Sequence, residues 1–306
     1  MHISGSDRLT HKISQLGFKD SIVTWREILS EGRTIHEVGS EKFWKERFLF
    51  LHTSYAWSKQ RFVQRTLREY RSLCRAKSQD IIALWFDTDL SSQINIMAIL
   101  SWLKTHRRYA QIFWVDVSLA DMDILDQWTV DQVRNAWEKR KELTQDDIEF
   151  ADYTWQIYCS DNPIRLTQIS HSSQTQLSAL PQNISLHLKR FPSVVHGLSD
   201  FEYTVLQKLS QQGVHHADLF IDEVHRGQQR TYGYTKPQIG RVVQKLSPWL
   251  EATTFKVKEQ GKKLLQGKAN AYSVLKDQGY LGGALTYNYL WAVSYTHLTL
   301  PTIYSV

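Results

Sequence analysis

Cysteine is scarce: Cys74 and Cys159 are the only two in 306 residues, and they form neither a C-x-x-C nor a paired framework. That argues against a disulfide scaffold and predicts a reducing, cytoplasmic compartment. Long apolar runs are missing too, so the sequence predicts neither a signal peptide nor a membrane span. There is no internal repeat and no low-complexity linker. The motif inventory is equally thin. H-E-x-x-H, G-x-S-x-G, G-x-G-x-x-G and G-x-x-x-x-G-K-[ST] are all absent, as is any clustered Cys/His spacing for zinc.

What is present is an ordinary globular composition, 42% hydrophobic and 22% charged, long enough for two domains. Eleven Trp and fourteen Tyr point to core or interface. The net charge is +6, and twelve Lys/Arg against eight Asp/Glu in residues 196–291 put +4 of it in the last third. Such a tilt permits a polyanion partner without requiring one.

The stretch that organises the chain is Asp80–Ile94. An unbroken apolar run, Ile81–Phe86, ends at Asp87 and Asp89 and then opens a helix over Leu90–Lys104. This is the pattern of a strand buried on both faces of a parallel sheet. Met1–Ser4, Ser21–Trp25 and Gln111–Val117 predict further strands, alternating with helical segments. The fold expected is therefore α/β: a parallel, Rossmann-like sheet domain over 1–118. A helical connector over 119–195 follows. Residues 196–292 hold the capping boxes Ser199/Glu202 and Thr235/Gln238, then a strand over Thr253–Val257 and a Lys-rich turn at Gln260–Lys263. That order predicts a winged-helix-like unit.

Ligands of parallel sheets bind outside the carboxyl ends of the strands. Asp87 and Asp89 form a D-x-D at such an end, a donor type suited to Mg²⁺, with Asp7 expected beside them. The alternative is that Asp89 caps the following helix and Asp87 meets backbone donors. Arg26 and Glu27, after the second strand, would bind a phosphate and orient a base, or else form ion pairs. Gln93, one helical turn beyond Asp89, would face the same cleft or solvent. In the last third, Arg241 and Lys245 on a helix and Lys262 and Lys263 on the supposed wing are candidates for nucleic-acid contact. Two functions are expected from these residues. One is a regulatory protein binding a phosphate-bearing small molecule, nucleic acid or another protein. The other is a metal-dependent phosphoryl-transfer or hydrolytic enzyme using Asp87 and Asp89.

Several segments, taken in order, resemble one bacterial family, the domain of unknown function numbered eighteen thirty-five. They are His2-Ile3 with Gly5 and Asp7, Trp25-Arg26-Glu27 with Glu31-Gly32, and Leu84-Trp85-Phe86 with Asp87, Asp89-Leu90 and Gln93. Further on come Leu180-Pro181, Phe191-Pro192, Gly197-Leu198-Ser199 with Glu202, and Leu281-Gly282-Gly283. The chain departs from the family at Gly5-Ser6-Asp7, where Gly-Asp is usual, and at Asp87-Thr88, where an acid precedes His or Tyr. The resemblance implies the two-part architecture and brings no activity with it.

Residues Val293–Thr302 read VSYTHLTLPT, the translation of GTC TCT TAT ACA CAT CTG ACG CTG CCG ACG. Those bases look like the end of a transposon-based sequencing adaptor. Residues 293–306 are therefore expected to be a non-native tail, with the natural chain continuing past Trp291.

Overall fold

The computed structural model describes residues 1–77, 80–117, 129–169, 175–212, 216–252, 254–292 and the backbone of 297–299. Residues 118–128, Thr253 of the expected wing strand and most of the expected tail lie outside these. In chain order the strands are β1 (His2–Ser4), β2 (Ile22–Thr24), β3 (Gly32–Arg33), β4 (Ile81–Phe86), β5 (Gln111–Asp116), β6 (Lys141–Glu142), β7 (Tyr280–Gly282), β8 (Ala284–Leu285) and β9 (Leu290–Ala292). The helices are α1 (Asp7–Ser14), α2 (Glu41–Tyr55), α3 (Lys59–Phe62), α4 (Arg68–Leu73), α5 (Leu90–His106), α6 (Val130–Glu138) and α7 (Gln145–Tyr158). After them come α8 (Leu166–Ile169), α9 (Leu180–Leu188), α10 (Asp200–Gln212), α11 (Ala217–Gln228), α12 (Lys236–Lys245), α13 (Glu259–Leu265) and α14 (Tyr272–Leu275).

The main sheet runs β2-β1-β4-β5-β6, parallel except for β6. The fold is thus α/β with a mostly parallel five-stranded sheet and many helices. Side chains of β4 alternate across it. Ile82, Leu84 and Phe86 enter the large core, whereas Ala83 and Trp85 pack with Leu9, Ile13, Val115 and Val133 under α1 and α6. The periodicity of the α5 sequence predicts one buried side. Instead Gln93–Leu103 is buried throughout, because α7 and α9 cover its outer face. Within the expected helical connector α6 stops at Glu138, and Lys141–Glu142 joins the sheet as its antiparallel edge.

In the last third the three helices α10, α11 and α12 are followed by a single antiparallel bridge between Leu250 and Val257. Phe255 has φ +53°, which interrupts an extended run. The Lys-rich segment expected as a turn is helical. Glu259 stands in the first turn of α13 and Lys262 and Lys263 in its last, each matching the helix dipole. Two features join this region to the first half: β3 pairs parallel with β7 in a small sheet completed by β8, and one hydrophobic core runs from Met1 to Trp291. The backbone of His297–Thr299 pairs antiparallel with β9. Among the described residues, no helix is long and apolar enough to cross a membrane.

Candidate functional site

At the carboxyl ends of β1 and β2 four charged side chains close on one another. Arg26 donates to Asp7 Oδ1 at 2.6 and 2.9 Å and to Glu69 Oε1 at 2.9 Å, and Arg65 donates to Asp7 Oδ2 at 2.6 Å. The Arg26 hydrogen bond, above all, holds the Asp7 carboxyl below its usual range. Glu27 turns the other way and is buried: Arg47 Nε donates to it at 3.1 Å and Thr66 at 3.2 Å. The remaining Arg47 donors go to the carbonyls of Ile28, Glu31 and Arg33, which fixes the loop that leads into β3. Arg26 and Glu27, adjacent in sequence, therefore serve separate ion pairs.

The end of β4 is covered by the chain itself. Asp89 caps α5, accepting from Ser92 N at 2.9 Å through Oδ1 and from Ser92 Oγ at 2.6 Å through Oδ2. Asp87 Oδ1 accepts from Thr88 N at 2.6 Å. Gln93 is buried and donates to the Asp87 carbonyl at 2.9 Å. The amides of Leu90 and Ser91, which would greet a phosphate at this helix N-terminus, donate instead to the carbonyls of Thr231 and Tyr232 at 3.0 and 3.2 Å. Gly233 follows with φ +64°, and a Cβ there would come within 1.9 Å of Asp89 Oδ1. On the adjoining side Asn183 donates to the Thr88 carbonyl at 2.7 Å.

Burial, with the neighbouring Asp87 charge adding to it, pushes Asp89 up to about 7; burial likewise raises Asp87. Both Asp89 oxygens accept hydrogen bonds, whereas Asp87 Oδ2 and the neighbouring Gln93 Oε1 are buried without a partner. One free carboxylate oxygen and one amide oxygen are a poor match for Mg²⁺, which takes six oxygens in near-octahedral order. Among the described residues no three His, Cys, Asp or Glu side chains gather into a metal-holding group.

A second locus, of about 760 Å³, opens between the first half and the C-terminal helices. Glu31, Phe50 and the β3 residues form one wall, while Gln238, Arg241 and Lys245 of α12 form another. The walls are tied together at Glu31, which accepts from Tyr55 Oη at 2.6 Å and from Gln238 Nε2 at 3.0 Å. Lys245 sits between Glu202 and Asp277, 2.5 Å from each. Burial alone would lower its ammonium, but those two charges outweigh it and raise it. Arg241 lies 3.7 Å from Glu31, its guanidinium 4.9 Å from the Tyr55 ring centroid and 5.8 Å from that of Phe50.

Arg190 also lines this cleft and is only 7% exposed. Its Nη1 lies 3.5 Å from His187 Nδ1 and its guanidinium 5.5 Å from the Tyr234 ring centroid. Burial keeps His187 neutral, with the Arg190 charge acting in the same direction.

Of the four basic residues singled out by sequence, Arg241 and Lys245 thus turn into the cleft. Lys262 and Lys263 lie on α13 outside its lining, with Lys262 3.4 Å from Glu259. Glu31, Arg190 and Tyr234 carry no local motif; only Glu31-Gly32 stands out, and only through the family resemblance. A comparison with protein-family models finds no match, and a search of curated proteins finds none either.

Proposed function

We propose that the protein is a regulatory ligand-binding protein whose small-molecule ligand occupies the cleft between the α/β half and the C-terminal helices. The observation that carries this reading is the two-sided lining. A molecule bound there touches Glu31 and Phe50 on one side and Arg241 and Lys245 on the other. Its occupancy would therefore couple the two halves, since binding to the assembled form alone stabilises that form. The size falls within the range of small-molecule sites.

A winged-helix-like reading of 196–292 draws support from the order α10, α11, α12 and the Leu250–Val257 bridge; in this proposal the unit is a scaffold for one cleft wall. Nucleic-acid contact has less support, because Lys245 is held by two acids and Arg241 faces Glu31. Phosphoryl transfer through Asp87 and Asp89 has less as well, since backbone and hydroxyl donors already engage both residues. The family resemblance stays a proposal of kinship. The free thiols of Cys74 and Cys159 support a cytoplasmic setting.

The test is native mass spectrometry of the full chain after incubation with a small-metabolite extract, beside Leu49→Trp, a substitution at an exposed residue of the cleft rim. A bound mass carried by the wild type and lost in the variant is expected. No bound mass, or one that the variant retains, sinks the reading.

A further inference from the structure

We infer that the ligand of this cleft carries an oxyanion group, a phosphate or a carboxylate, gripped by Arg190 and Arg241; the inference rests on the cleft being a ligand site. Four acids and four bases line the space, so net charge alone decides nothing. Their hydrogen bonding does. Glu31 accepts from Tyr55 and Gln238, Glu202 from Ser199 N and Lys245, and Asp277 from Gly279 N and Lys245, while Glu46, the fourth, stands 4.0 Å from Arg33.

The two arginines are different. Arg241 Nη1 is buried and has no hydrogen-bond acceptor. Arg190 has His187 Nδ1 at the 3.5 Å limit, the Tyr234 ring against its guanidinium and the Tyr158 hydroxyl beside it, and among the described residues no carboxylate forms an ion pair with it. A guanidinium has five donors and no acceptor, and a buried donor left unmade is costly. The deficit at this site is thus in acceptors, which an oxyanion supplies in the fork geometry that Arg matches. Phe50, Phe201 and Tyr280 line the same space and provide ring surface for the rest of the molecule.

The experiment is calorimetric titration of the full chain with phenyl phosphate, with benzoate and with neutral benzamide. Arg190→Gln and Arg241→Gln are titrated alongside, their folding checked by circular dichroism. Saturable binding of phenyl phosphate or benzoate is expected, weakened about tenfold or more in each variant, since hydrogen bonds to charged groups are the strong ones. The preferred anion then tells phosphate from carboxylate. Arg241 is half-exposed, so its variant keeps the test open if Arg190→Gln fails to fold. Binding of an anion that both variants retain overturns the proposal. Benzamide bound as well as the anions leaves the cleft reading intact and overturns the oxyanion. No binding by any probe overturns both.

Discussion

Asp89 and His2 pull stability in opposite directions over the same pH range. Asp89 titrates at about 7 when folded and 3.8 when unfolded, so between those values the folded state holds the extra proton. Acidification from pH 7 toward 4 therefore favours folding, by up to about 4 kcal/mol at 1.36 kcal/mol per pKa unit. His2, buried with Trp85 Nε1 donating to its Nδ1 at 3.0 Å, is lowered from 6.5 to about 4. Its unfolded state takes up the proton first, so stability is lost as pH falls from 6.5 toward 4. Urea denaturation of wild type and Asp89→Asn at pH 7 and pH 5 separates the two. Asn retains the cap, so the variant is expected to lose the acid-side gain that Asp89 contributes; equal pH slopes would refute the account. Arg47 is the second sensitive residue. It is fully buried against Glu27, and Arg47→Met leaves that carboxylate uncompensated, an expected loss of about 3–5 kcal/mol in urea denaturation.

Among the elements, α5 is the one completed by a distant segment. Its cap is local, but two of its first amides rely on the carbonyls of Thr231 and Tyr232. Gly233→Ala puts a Cβ into Asp89 and places Ala at φ +64°, a strain on the order of 1–3 kcal/mol before the collision is counted. Hydrogen exchange is expected to show Leu90 and Ser91 losing protection in that variant while mid-helix amides keep theirs. Unchanged protection at Leu90 and Ser91 would mean the turn does not cap the helix. The same segment explains why the sheet's carboxyl end is not where the cleft lies: the chain fills that crevice, down to the Phe86 ring packed at 3.0 Å from where a Gly5 Cβ would stand.

For the whole molecule, connections between the halves are many and of different kinds. They include the β3–β7 pairing, the α5 amides on Thr231 and Tyr232, and the Glu31–Gln238 bond. A shared core adds to them. Differential scanning calorimetry is expected to give one transition with calorimetric and van't Hoff enthalpies in agreement. Two resolved transitions would show that the halves unfold separately.

Local rules sufficed for much of this fold. Apolar runs mark β4 and β5, and the boxes Ser199/Glu202 and Thr235/Gln238 close as their spacing predicts. Such features depend on residues three apart or on alternation within one strand, so the sequence by itself determines them. The cleft is different in kind. Glu31 meets Gln238 across 207 residues, and whether Arg26 faces a ligand or Asp7 depends on how α1 and α4 pack. Whether Asp87 and Asp89 meet solvent or a covering turn depends likewise on the segment around Gly233. Burial and long-range partnership set the charge state and availability of each of these groups, and only the tertiary structure decides them.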